Sequence, residues 1–180
     1  LSFQLSSLIN MSRCLSCYLG SYFSDLDNHE KAKKYFKKSL EIARTTGYRY
    51  GEGFRLLNLA RVEIQFKNYQ TAIKLALQSA RIGDEITRPQ LQSNSYSDIS
   101  LSYLLLEDYP AARGFSEKAQ KYDDPTNNHN VFTLYGIITL SQKDTESASA
   151  AFQKAIAQAD EILAKTPELY KALDAKGLAQ

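Results

Sequence analysis

Tryptophan is absent from the 180 residues, and cysteine (2), proline (4), histidine (2) and glycine (8) are all scarce. Each shortage excludes something. Two cysteines make no disulfide framework. Few glycines and prolines argue against a turn-rich β architecture, which needs both at its corners. A net charge of only +2 gives no general pull toward nucleic acid. The longest pure aliphatic runs, such as Leu104-Leu105-Leu106, fall far short of the roughly 20 residues that span a bilayer. No secretory signal is visible, because Leu1 to Leu8 lacks a basic region and a long apolar segment. What is present, 43% hydrophobic and 23% charged residues, is the composition of a folded domain rather than a disordered chain. The first residue is Leu, so a piece excised from a longer protein is expected, with a reducing cytoplasm as its default compartment.

The four prolines stand at Pro89, Pro110, Pro125 and Pro167. A helix interior rejects proline by about 3 kcal/mol, so these positions mark boundaries. Between them the apolar spacing is helical. Ala148, Ala151, Phe152, Ala155, Ile156, Ala159, Ile162 and Leu163 form one stripe at i, i+3, i+4 and i+7 spacing. Ala32, Tyr35, Phe36, Ser39, Leu40 and Ala43 form another. No stretch alternates with period two. The spacing predicts an all-α chain with helices near 4–25, 29–45, 52–66, 69–85, 89–106, 109–122, 129–141, 145–165 and 167–180.

The chain also repeats itself. A small residue leads each of four units, at Ala32, Ala72, Ala112 and Ala148. A polar break precedes it each time: Asp27-Asn28, Lys67-Asn68, Glu107-Asp108 and Lys143-Asp144. Twelve residues before it stands Gly20, Ala60, Ser100 or Gly136, small in every case, as two closely packed helices require. Each unit is therefore two helices. This pattern, carried by Leu19-Gly20, Phe23, Ala32 and Phe36, by Leu59-Ala60, Ala72 and Ser79, by Ile99-Ser100, Tyr103, Ala112 and Ala119, and by Tyr135-Gly136, Ala148, Phe152 and Ala155, resembles the tetratricopeptide repeat family. Standard members repeat about every 34 residues. Here the leading alanines are mostly 40 apart, like the longer-helix subgroup. The resemblance implies a right-handed α-solenoid of stacked antiparallel helix pairs as a single array over 1–180, with units at 7–45, 52–85, 89–122 and 129–165. Ala76 and Ser116 replace the large residue of the other units. A terminal helix over 167–180, carrying Leu169, Ala172, Leu173 and Leu178, would cap the last unit, and a homodimer through that end is expected.

Chemistry has little to build on. His29 and His129 are 100 residues apart. His29-Glu30-Lys31-Ala32-Lys33 starts like a zinc-protease helix, but Lys33 stands where a second histidine is needed. Cys14 and Cys17 have no second pair to complete a metal site, and helical packing accounts for them. Gly47, Gly51 and Gly53 follow no strand and make no dinucleotide loop. Asp123-Asp124 beside Pro125 reads as a turn. No cofactor, metal site or catalytic set is expected, and the chain reads as non-enzymatic. Lys31, Lys33, Lys34, Lys37 and Lys38 crowd one helix opposite its apolar stripe, which reads as a solvated face rather than a nucleic-acid or membrane surface.

In the family register the first helix of each pair lines a concave face. The resemblance places Cys14, Cys17 and Ser21 there in unit one, and Phe54, Leu57, Asn58, Arg61 and Gln65 in unit two. Asn94, Ser97, Asp98 and Leu101 follow in unit three, and Asn130, Thr133 and Ile137 in unit four. Units two and three mix apolar anchors with Arg, Asn, Gln and Asp, which suits an extended peptide or a helix. The Lys and Asn that grip C-terminal carboxylates in some members are missing. The expected function is a non-catalytic protein–protein interaction scaffold or sensor module. The alternative is a small-ligand or signalling-peptide receptor that regulates an attached effector.

Overall fold

The computed structural model describes residues 15–166 together with Gly177 and Leu178. Those described residues are helical and contain no strand. Helix α1 runs over 15–25. It is followed by α2 (His29–Thr45), α3 (Arg49–Gln65), α4 (Tyr69–Glu85), α5 (Pro89–Leu105), α6 (Tyr109–Ala119), α7 (Asn128–Ser141) and α8 (Thr145–Lys165). Cys14 and nearly all of the expected terminal helix 167–180 lie outside the described residues. Gly177 and Leu178 are helical and exposed. The chain divides into two compact units, the first ending at Leu91 and the second starting at Gln92.

One turn is used again and again. Asp27, Gly47, Lys67, Thr87, Glu107 and Lys143 all have positive φ, between 52° and 66°, and the first five are spaced by twenty residues. Each ends a helix. The N–H of the residue after it donates to the carbonyl five positions back: Asn28 to Phe23 (2.8 Å), Tyr48 to Ala43 (2.9 Å), Asn68 to Glu63 (2.8 Å), Arg88 to Gly83 (2.9 Å), Asp108 to Tyr103 (3.0 Å) and Asp144 to Thr139 (2.9 Å). This left-handed end satisfies carbonyls that a helix would otherwise leave orphaned. The residue that closes one helix then starts the next. Asn28, Asp108 and Asp144 accept from the N–H three residues on. The polar breaks in the sequence are these paired caps.

Among the described residues, two helix boundaries differ from the sequence expectation by more than one residue. Helix α3 begins at Arg49 rather than 52, so Gly51 joins Gly53 inside the helix instead of preceding it. Their lack of a side chain serves packing: a Cβ on Gly53 would come 2.3 Å from Leu91, and one on Gly51 would come 2.1 Å from Tyr48. Helix α6 stops at Ala119 rather than 122. Pro125 disfavours a helical residue before it. The buried Asp124 carboxylate also accepts from the Thr126 N–H and hydroxyl and from Asn94 Nδ2. Helix α6 is six residues shorter than α4 and α7 three shorter than α3, while the link between them is five longer, which together give the last unit its shorter spacing.

In the first unit α3 packs between α2 and α4. Ala32, Phe36 and Leu40 from α2, Leu56, Leu57, Leu59 and Val62 from α3, Ile82 from α4 and Leu91 form one core. In the second unit α7 packs on α6 and α8, around Val131, Ile138, Ala148, Ala151 and Ala155. Rings of Tyr103, Phe115, Tyr96 and Tyr122 stack there with centroids 5.5–6.2 Å apart. The Phe23–Tyr35 stack sits at the equivalent place eighty residues earlier.

The small positions are half of a size-matched pair. A Cβ on Gly20 would lie 2.6 Å from Phe36, and one on Gly136 would lie 2.4 Å from Phe152. The register-equivalent pairs, sixteen residues apart, are Ala60 with Ala76 and Ser100 with Ser116, all fully buried. Glycine thus meets phenylalanine, and small meets small. No pair sets a ring against a second side chain, and two small residues let the helices approach closely, which is why Ala76 and Ser116 can stand where the other units carry a large ring.

Two outcomes follow for stability. Replacing Thr87, a β-branched residue in the left-handed region, by Gly raises the urea-unfolding free energy by about 0.5–1 kcal/mol, whereas Gly47→Ala lowers it by about 1 kcal/mol although open space surrounds it. Gly136→Ala destabilises by about 1–3 kcal/mol. Most of that loss disappears in a Phe152→Ala background, and a double-mutant cycle showing no coupling between the two sites would refute the size matching.

Candidate functional site

Helix α3 is buried on most sides, with Gly51, Glu52, Gly53, Leu56, Leu57, Leu59, Ala60, Val62 and Glu63 covered. That explains why it lacks a clear amphipathic pattern: it is flanked by helices on both sides, and only one strip is left for solvent. The strip is Tyr50, Phe54, Asn58, Arg61 and Gln65, spaced close to four residues and therefore on one face. Tyr50, Arg61 and Gln65 are exposed, and Phe54 and Asn58 are half-buried. Leu57, expected among these contact residues, is 0% exposed and belongs to the core instead.

Two aromatic residues join this strip that the family register did not single out. The rings of Tyr50 and Phe54 are 4.8 Å apart. Tyr48 meets Tyr50 at 6.3 Å, edge on. The Arg88 guanidinium lies 5.3 Å over the Tyr50 ring. The available signal was Tyr50 standing four residues before Phe54, which on a helix puts the two rings together.

In the second unit the expected residues on α5 have other work. Asn94 Nδ2 donates to Asp124 Oδ2 at 3.0 Å, tying α5 to the loop after α6. Asp98 is buried, and its carbonyl accepts from Ser102 Oγ. Ser97 and Leu101 are half-buried. Thr133 is buried with its hydroxyl on the His129 carbonyl, while Asn130 and Ile137 are half-buried. In α1, Ser21 is exposed and Cys17 half-buried. The strip on α3 keeps its surface, whereas on α5 Asn94 is committed to an internal bond and Asp98 is buried.

Two buried acids on α3 fix it to its neighbours. Glu52 accepts from Arg44 Nε (2.9 Å) and Arg49 Nη1 (2.6 Å), and Arg49 also pairs with Glu85. Glu63 pairs with Lys33 Nζ at 2.8 Å and accepts from Asn68 Nδ2 at 2.9 Å. Asn68 is thereby diverted from capping α4, where its side chain makes no cap bond. Burial pushes both carboxyls up, but the bonds from Arg44 and Arg49 in one case, and from Lys33 and Asn68 in the other, outweigh it. Both are held below the ordinary glutamate value of 4.5.

Among the described residues no group of His, Cys, Asp and Glu is arranged to hold a metal ion, and no helix is long and apolar enough to cross a membrane. His29 packs edge-on against Phe66 at 6.0 Å, and His129 is fully buried. A cleft of about 480 Å³ opens away from the α3 strip, between α2 and α4.

Residues 11–85 match the tetratricopeptide repeat family. No curated protein matches the sequence. Among solved structures, aspartyl phosphate phosphatase F from Bacillus subtilis is similar at a TM-score of 0.80 and 14% identity, over 94% of this chain and 44% of that one. BtubC from P. vanneervenii is similar at 0.71 and 16%, over 83% of this chain and 64% of that one. A signal transduction ATPase with numerous domains and a tetratricopeptide repeat sensor, from Pyrococcus horikoshii, is similar at 0.66 and 19%, over 96% of this chain and 27% of that one. This chain spans less than two thirds of each, and at these identities the likeness is one of fold.

The acids set a pH dependence. A carboxyl whose folded value lies below its unfolded one contributes stability that is complete above the unfolded value and lost as pH falls through the folded one. The melting temperature is therefore expected to fall once pH drops below about 4.5, and the acid slope becomes shallower in Glu63→Gln, which no longer titrates. Thermal unfolding followed by circular dichroism from about pH 7 to 3 checks this; an unchanged slope would mean that the Glu63 pair does not couple to folding.

Proposed function

We propose that this chain, whose residues 11–85 are of the tetratricopeptide repeat family, is a non-catalytic protein–protein interaction module. Its partner is a peptide or helix laid along the α3 strip. The observation that carries the reading is that strip: on a helix largely covered by its neighbours, Tyr50, Phe54, Asn58, Arg61 and Gln65 keep surface on one face, with Arg49, Arg55 and Ile64 half-buried elsewhere on the helix. An aromatic pair beside amide and guanidinium groups is the composition of an interaction hot spot, where burial of the rings supplies affinity and the polar groups supply register. The family register makes this the concave face. In the second unit, Ser97 and Leu101 are the residues that keep some surface at the corresponding positions. Asn94 contributes by tying α5 to Asp124.

A second reading is a sensor part that controls an attached effector. It draws on the Pyrococcus horikoshii relative, whose tetratricopeptide repeat is the sensor of a larger ATPase. Both readings use the same strip, and both fit a cytoplasmic protein without a cofactor. The expected homodimer through the terminal helix involves residues outside those described.

Peptides selected from a random display library on the whole chain provide the test. Phe54→Ala and Arg61→Ala are each expected to weaken binding of the selected peptides at least about tenfold, or 1.4 kcal/mol. Lys121→Ala, on an exposed position of the other unit, leaves binding unchanged. Selected peptides indifferent to both strip variants would overturn the assignment.

A further inference from the structure

The cleft between α2 and α4 shares no residue with the strip, and its residues make it more than a packing gap. Its floor is apolar: Leu40 from α2, Leu56 and Leu59 from α3, and Leu75 from α4. Its rim carries Lys37, Glu41 and Arg44 on one side and Gln78 on the other. The same cleft recurs between α6 and α8, lined by Gln120, Phe132, Tyr135, Ala151 and Lys154. In repeat register Leu40 corresponds to Gln120, Leu56 to Phe132, Leu59 to Tyr135 and Leu75 to Ala151. There the volume is only about 140 Å³, because two rings fill it. The leucine floor is thus particular to the first unit, not a general consequence of the repeat.

Charge is equally one-sided there. Lys34 and Lys38 stand beside Lys37 on the exposed ridge of α2. Lys74 and Arg81 lie four before and three after Gln78 on α4, so they share its ridge. All five are exposed, and none forms an ion pair with a described residue. The other cations nearby are spent: Lys33 is on Glu63, and Arg44 and Arg49 are on Glu52. Against these five stand the rim acid Glu41 and, toward the ends of the two ridges, Glu30 and Glu85, the latter already paired with Arg49.

We propose that this cleft docks an acidic amphipathic helix of a partner protein. Leucine-sized side chains at i, i+3, i+4 and i+7 of that helix enter over Leu40, Leu56, Leu59 and Leu75. Its flanking Asp and Glu lie against the lysine ridges of α2 and α4. Helix-in-groove recognition needs this combination of an apolar trough and rails of one charge. The rails select an acidic helix over a basic one, because like charges brought together are penalised. The lysine run of α2 then has a role beyond solvation. The face is separate from the α3 strip, so the two can be occupied independently.

The test uses a fluorescein-labelled 16-residue designed helix with leucines in that spacing and glutamates flanking them, titrated against the whole chain by fluorescence anisotropy. Saturable binding is expected, weakening as salt is added because exposed charges are screened. A lysine-flanked helix and a helix with scrambled leucines bind at least tenfold more weakly. Gln78→Trp, which fills the trough from an exposed position, and the double variant Lys37→Glu with Lys38→Glu each weaken binding at least tenfold, while Lys121→Ala, exposed on the other unit, leaves it unchanged. Equal binding of the scrambled helix, or insensitivity to both cleft variants, overturns the proposal. So does retention of duplex RNA or of phosphatidylserine vesicles without binding of the acidic helix. Loss of binding in Phe54→Ala alone would move the helix to the α3 strip instead.

Discussion

Consecutive helices here, α6 and α7 apart, are joined by three residues, and the last two of the three must do the work of both helix ends. The first takes a left-handed backbone, which lets its own N–H and the next one turn back onto carbonyls that would otherwise face nothing. The second is already the cap of the following helix. With so little chain between them, neighbouring helices have no freedom to separate, and the hairpin angle follows from backbone geometry more than from side chains. Gly47 supplies that conformation without strain. Asp27, Lys67, Thr87, Glu107 and Lys143 hold it against their own preference, because the packing on either side leaves no other path.

Once hairpins are fixed, every helix between two others faces a choice of what to bury. In the first unit α3 covers leucines and even two glutamates, and the acids are tolerable only because Arg44, Arg49 and Lys33 meet them. The remaining strip is narrow and mixed in character. On the opposite side, α2 and α4 diverge enough to leave a leucine-floored trough between lysine ridges. One sandwiched helix therefore separates two surfaces of unlike chemistry: rings, amides and a guanidinium on one, aliphatic floor and cationic rails on the other.

Repetition does not make the units equal. The second unit keeps the same turn and the same small-residue contacts, yet α5 spends its polar groups inward. Ser100 donates to the Ala112 carbonyl at 2.7 Å, Ser102 donates to Asp98, and Asn94 is held by Asp124. Early termination of α6 creates the loop that presents Asp124, and that loop consumes a position which the register had marked for a partner. Positions that correspond by count can thus differ completely in what they are free to touch.

Helical class, four paired-helix units, their small-residue contacts and the polar turn dipeptides could all be read from the amino-acid order, because each depends on local spacing or on a backbone rule that acts within a few residues. The helical start at Arg49, the fully covered Leu57 and the inward use of Asn94 could not. Each of those depends on what a neighbouring helix places against the residue: Leu91 against Gly53, the core cluster around Leu57, Asp124 against Asn94. A periodic pattern marks which face a residue occupies. Only the packed neighbours decide whether that face meets water, another helix or an ion, because burial is a property of pairs of elements and not of one.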